Sequence, residues 1–100
     1  MVFKIIEKID KDLQGLIPGF MEITHKEIKD LEQALGSGDM AVVARIGHNL
    51  KGSALNYGFL QLGGIGRRIE SSAERNQLEK VHAELEALKD YVDRVEVEFV

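Results

Sequence analysis

Three histidines occur in this 100-residue sequence, and His48 is the one whose neighbours equip it for chemistry. Lys51 and Gly52 follow it by three and four residues, separations that stack side chains one turn apart on a helix. An imidazole that is to act as a nucleophile, or to carry a phosphoryl group, needs a ring nitrogen open to solvent, space for three phosphate oxygens and a positive charge nearby. Lys51 can bring a mobile ammonium to such a phosphate, and Gly52 takes away the side chain that would crowd the ring. Ala41 and Ala44 keep the opposite side of the ring low, while Leu55 adds an exposed apolar spot for a docking protein. Taken alone, a histidine on an exposed helix face is most often simply solvated. His25 and His82 receive that reading, because each has a lysine near it but no second histidine or carboxylate pair at metal-binding spacing. Glu27, Asp30, Glu32, Glu79, Glu84, Glu86 and Asp90 likewise read as solvated helix faces with lysines close in sequence.

Whether His48 points outward depends on the helix beneath it. Asp39 stands where an N-cap side chain accepts a backbone N–H, and Gly58 stands where a helix stops, so the spacing predicts a helix over about 39–57. Winding it at about 100° per residue from Val43 puts Ile46, Leu50, Ala54 and Tyr57 within roughly 60° of the start, on a buried face. His48 falls at roughly 140°, clustered with Ala41, Ala44, Lys51, Gly52 and Leu55, and so faces solvent.

The rest of the chain reads the same way. Ile5, Ile6, Ile9 and Leu13 suggest a short opening helix over about 2–15 that closes before Pro18. Phe20, Thr24, Ile28, Leu31 and Leu35 trace a helix over 18–35, stopped by Gly36-Ser37-Gly38. Phe59, Leu62, Ile65, Ile69 and Ala73 mark a third long helix over about 59–75, with Asn76 as a cap. Leu78, Val81, Leu85, Leu88, Val92 and Val95 form the heptad seam of a fourth. The expected fold is therefore all-α: an antiparallel up-down-up-down four-helix bundle over about 18–97 with an added N-terminal helix, in one domain of residues 1–100. Gly63, Gly64 and Gly66 would each cost about 1 kcal/mol against alanine inside a helix. Gly66 lies on the Leu62–Ile69 face, where close approach of two helix backbones offsets that cost; Gly63 and Gly64 are open between kinking and clearance for a partner.

Composition narrows the function classes. Thirteen Lys and Arg against seventeen Asp and Glu give a net charge of −4, which argues against nucleic acid as a partner. The absence of cysteine excludes disulfides, thiolate catalysis and Cys-ligated zinc or iron–sulfur sites. The first dozen residues hold no uninterrupted apolar run, so neither a secretory leader nor a membrane span is expected there and a cytoplasmic location follows by default.

The stretch His48-Asn49-Leu50-Lys51-Gly52-Ser53-Ala54-Leu55-Asn56-Tyr57-Gly58 resembles the signature of the histidine-containing phosphotransfer (HPt) domain family, H-x-L-K-G-[SA]-x4-G, at every fixed position. Gly38-Asp39 before it, Leu62 after it and the pair Ile69-Glu70 on the next helix are also similar to the family pattern, over about residues 18–95. The resemblance implies a four-helix bundle whose histidine takes a phosphoryl group from a receiver domain's aspartyl phosphate and passes it to another receiver. His48 matches the phosphorylated histidine, Lys51 the phosphate-stabilising lysine, Gly52 the clearance glycine, and Glu70 a polar position that approaches the imidazole. Implied partners are response-regulator receiver domains and a hybrid sensor histidine kinase, with this chain a monomer that touches neither nucleic acid nor membrane.

Nothing in the sequence resembles a Gly-rich nucleotide loop, and no carboxylate pair suggests a Mg²⁺ site, so the chain is expected to be a phosphoryl carrier rather than an ATP-dependent kinase. It needs no cofactor of its own; the Mg²⁺ and the aspartate are expected on the partner receiver. The outward Nε2 is the expected attacking atom, with Nδ1 nearer the backbone and oriented by a partner that the sequence leaves open. Two other readings stand beside this one. A non-catalytic adaptor bundle would make His48 incidental and the Leu55 patch an ordinary interaction surface. The phosphoacceptor domain of a dimeric histidine kinase normally has a carboxylate directly after the histidine, where this chain has Asn49.

Overall fold

A computed structural model describes residues 3–100. Four helices make most of it: α1 (Ile17–Gly36), α2 (Met40–Tyr57), α3 (Leu60–Glu74) and α4 (Leu78–Arg94). Their ends lie where the cap chemistry puts them. Pro18 occupies the first turn of α1. An Asp39 carboxylate oxygen accepts the Val42 N–H at 3.2 Å and starts α2. Gly58, at φ +90°, ends α2 in the left-handed conformation that favours glycine. Asn76, at φ +55°, makes the equivalent turn between α3 and α4, in a conformation that asparagine tolerates better than most residues.

The apolar stripes meet in one core. Val43, Ile46, Leu50 and Ala54 of α2 are buried as their spacing requires, against Leu62, Ile65 and Ile69 of α3 and Val81, Leu85 and Leu88 of α4. Phe20 of α1 closes one end, its ring centroid 4.8 Å from both Tyr57 and Phe59.

The ends of the chain differ from the sequence expectation. Residue 2 lies outside the described residues, but the remainder of the segment expected as an opening helix holds a strand, β1 (Ile5–Ile9), and a 3₁₀ turn over Lys11–Leu16. The fourth helix also stops earlier than 97: Val95 begins a second strand, β2 (Val95–Phe99), that pairs with β1 in parallel from Ile5↔Val95 to Ile9↔Phe99. The fold is thus mostly helical and compatible with the expected all-α bundle, to which residues 5–9 and 95–99 add a short two-stranded parallel sheet. Alternation explains both strands. Val95, Val97 and Phe99 are partly buried while Glu96 and Glu98 are exposed, the period of two that a helix cannot use. In β1 the same alternation buries Glu7 and Ile9 and leaves Ile6 and Lys8 in solvent. The seam of α4 shifts accordingly, with Tyr91 fully buried and Leu78 half exposed.

Glu7 is the unexpected member of the interior. The residue is 4% exposed, and its carboxylate accepts the Tyr91 hydroxyl at 2.7 Å and the backbone N–H groups of Gln61 and Leu62, each at 3.2 Å. No side chain of its own caps α3, so Glu7 supplies from β1 the anion that a helix N-terminus attracts. Burial, then the hydrogen bond to Glu7, pushes the Tyr91 hydroxyl well above the ordinary tyrosine range, so it acts here only as a donor. The strand thereby anchors the start of the helix that carries Glu70.

Candidate functional site

The site is built where α2 and α3 come closest, and glycine makes that approach possible. A methyl group on Gly47 would stand 2.7 Å from the Glu70 amide nitrogen and 2.9 Å from the Gly66 carbonyl oxygen. One on Gly66 would stand 2.7 Å from the Lys51 amide nitrogen and 2.9 Å from the Gly47 carbonyl oxygen. The two backbones are therefore in direct contact. Farther along, Gly63 lies under Leu55, whose Cδ2 would be 2.7 Å from a Cβ there. The expected role of Gly66 holds, and Gly63 is neither a kink nor an open clearance but a seat for Leu55. Gly64 shows only a mild approach, 3.3 Å to the Arg68 guanidinium of its own helix.

This contact aligns one turn of α3 with His48. Glu70 reaches across with both oxygens: Oε2 lies 2.8 Å from His48 Nδ1, and Oε1 accepts from Lys51 Nζ at 3.1 Å. The three residues that the sequence brought forward on separate grounds form one connected group, and Glu70 is the partner of Nδ1 that sequence reasoning left unnamed. An ionised carboxylate only accepts hydrogen bonds, so Nδ1 carries the proton and the neutral ring has its lone pair on Nε2. The His48 side chain is 63% exposed, and Nε2 has no hydrogen-bond partner among the described residues. The ring is thus held at one nitrogen and open at the other.

Electrostatics support the same state. The hydrogen bond from Lys51 holds the Glu70 carboxyl below the usual glutamate range; partial burial opposes it and the hydrogen bond with His48 reinforces it. Since the folded value is depressed, the stabilisation from this ionised carboxylate is present above the ordinary glutamate range and is lost as pH falls through the folded value. In Lys51→Ala, the Glu70 carboxyl carbon followed by NMR should titrate at a higher pH than in the wild-type protein. An unchanged midpoint would mean that Lys51 does not hold Glu70 in solution.

Around the ring, Gly52 is exposed and a Cβ there would meet nothing within 4 Å, so the space is open as the clearance argument requires. Gly52→Ala should raise stability by several tenths to about 1 kcal/mol, seen as a higher denaturant midpoint at constant slope, because alanine is the better helix former at an exposed site. Gly52→Gln should keep the fold and block phosphoryl transfer by covering Nε2. A destabilised Gly52→Ala, or a Gly52→Gln protein that transfers at the wild-type rate, would remove the clearance role. Ala41 is exposed, Ala44 half-buried and Leu55 half-exposed, all on the face of α2 that carries His48. His25 and His82 are exposed on α1 and α4 and lie apart from this group. Among the described residues, no group of three or more His, Cys, Asp or Glu side chains is placed to hold a metal ion.

Two positions that matter here were not singled out from the sequence. Gly47 lies about 40° from Val43 on the α2 wheel, inside the buried stripe, and a glycine there is a readable sign of close helix contact. Glu7 had no such sign, since its partners are some 54 to 84 residues away along the chain.

Comparison with known proteins adds one match. The family model described as Hpt domain matches residues 16–98, which takes in all four helices and leaves out strand β1. No curated protein and no solved structure matches the chain.

Proposed function

Given that this chain belongs to the Hpt domain family, the phosphotransfer domains of two-component signalling, we propose that it accepts a phosphoryl group on His48 Nε2 from a receiver-domain aspartyl phosphate and passes it to another receiver. The observation that carries this reading is the ring itself, fixed through Nδ1 by Glu70 while Nε2 faces solvent.

The step follows from that geometry. The Nε2 lone pair forms the N–P bond as the acyl P–O bond of the aspartyl phosphate breaks, and the electron pair leaves on the carboxylate. The ring gains positive charge as the bond forms, and the Glu70 carboxylate at Nδ1–H stands where that charge develops. Lys51, on the other oxygen of Glu70, lies one turn from the ring and can turn its ammonium toward the phosphoryl oxygens. Gly52 leaves room for them. The chain contributes position and charge, while the receiver brings its aspartate and its Mg²⁺. In this reading Ala41, Ala44 and Leu55 form the docking surface around the ring.

The wider reading is a single domain over residues 1–100, monomeric and cytoplasmic, with the helices running up-down-up-down and a hybrid sensor kinase among the partners. Support for the helix directions comes from the α2–α3 contacts, where Gly47 meets Glu70, Lys51 meets Gly66 and Leu55 meets Gly63. No helix among the described residues is long and apolar enough to cross a membrane. Incubation with a phosphorylated receiver should move label to this chain as an acid-labile, alkali-stable adduct on His48. Label on any other residue, or none from a panel of receivers and from a small phosphodonor, would overturn the proposal.

A further inference from the structure

The resting site has little positive charge to spare for a phosphoryl group. Lys51 is engaged by Glu70 at 3.1 Å, so the two nearly cancel, whereas the incoming group adds about two negative charges. Arg45 stands three residues before His48, as Lys51 stands three after, which places the two cations roughly 60° to either side of the ring on α2. Lys51, Arg68 and Arg94 are paired with Glu70, Glu84 and Asp90 respectively. Arg45, by contrast, is exposed and makes no ion pair or side-chain hydrogen bond among the described residues. It lies beside Asn49 along a groove of about 550 Å³ between α1 and α2, whose acids are Glu27, Asp30 and Asp39. Asp30 is taken by Lys26 at 3.2 Å and Asp39 by the Val42 amide, so neither holds the guanidinium.

We infer that Arg45 is a second phosphate-binding residue, its guanidinium holding the oxygens of the phosphoryl group on His48 Nε2 from the side opposite Lys51. The planar fork of arginine suits two phosphate oxygens at once, a geometry that the Lys51 ammonium does not offer. This rests on His48 being the phosphoacceptor.

Loading by phosphoramidate tests it without a protein partner. There the Nε2 lone pair forms the new N–P bond, the P–N bond of the donor breaks, and ammonia leaves with the hydrogens already on its nitrogen. Arg45→Gln should load His48 roughly three- to tenfold more slowly than the wild-type protein, with an unchanged thermal midpoint because the side chain is exposed. Arg45→Lys should recover only part of the rate, since it restores the charge but not the fork. If Arg45→Gln loads at the wild-type rate, the inference is overturned, including the case in which only transfer from a receiver is slowed, since Arg45 then contacts the receiver. If the wild-type protein takes no label on His48, the phosphoacceptor reading itself has failed, a result distinguishable from a loaded wild type with an indifferent variant.

Discussion

His48→Gln should take up no phosphoryl group from a receiver or from phosphoramidate, while its far-UV circular dichroism stays that of the wild-type protein. The loss is complete because no other residue replaces the nucleophile: the histidine is the atom donor of the new bond, whereas Lys51 and Glu70 only position and neutralise. Stability should change by no more than about 0.5 kcal/mol, a shift of the thermal midpoint within about 4 °C, since the side chain is 63% exposed. Glu70 retains Lys51 when the imidazole is gone, so no buried charge is left without a partner. The two readouts divide the possible failures. Residual labelling of His48→Gln would place an acceptor at another residue, and a protein that unfolds would mean that the ring is part of the interior.

Much of this site was legible in the sequence because its information is local. Asp39 and Gly58 bracket α2, the stripe Val43, Ile46, Leu50 and Ala54 sets its rotation, and rotation alone sends His48 outward. What the sequence did not carry is the relation between distant segments. Ile5–Ile9 satisfies a short helical pattern as well as a strand, and what decides for strand is β2, whose residues lie ninety positions on. The β-branched residues there agree with the outcome but do not force it. Glu70 stood in the same position: its type and place suggested an approach to the imidazole only through the family resemblance. The 2.8 Å bond to Nδ1 depends on how near α3 can come to α2, and that distance is set by the two glycines.

The same substitution should therefore have opposite effects at different glycines of one small region. Gly66→Ala and Gly47→Ala each gain about 1 kcal/mol of helix propensity, as Gly52→Ala does. At Gly52 nothing opposes that gain. At Gly47 and Gly66 the added carbon meets backbone atoms of the other helix at 2.7 and 2.9 Å, and backbone, unlike the end of a long side chain, cannot rotate aside. The helices must separate, and overpacking of this kind costs about 1–3 kcal/mol, here toward the upper end because two contacts are affected at once. The net expectation is a loss of about 1–2 kcal/mol for each variant, a fall of roughly 5–15 °C in thermal midpoint, against a rise for Gly52→Ala. Activity should follow position as well as stability. The carbon added at Gly47 presses on the amide of Glu70 itself, so it displaces the carboxylate from Nδ1. Phosphoramidate loading of Gly47→Ala should then fall several-fold at temperatures where the protein is still folded, and the His48 ring nitrogens in NMR should show a changed tautomer balance. If Gly47→Ala and Gly66→Ala instead melt above the wild-type protein, as helix propensity alone would have it, α2 and α3 are not in backbone contact, and the placement of Glu70 against His48 falls with that contact.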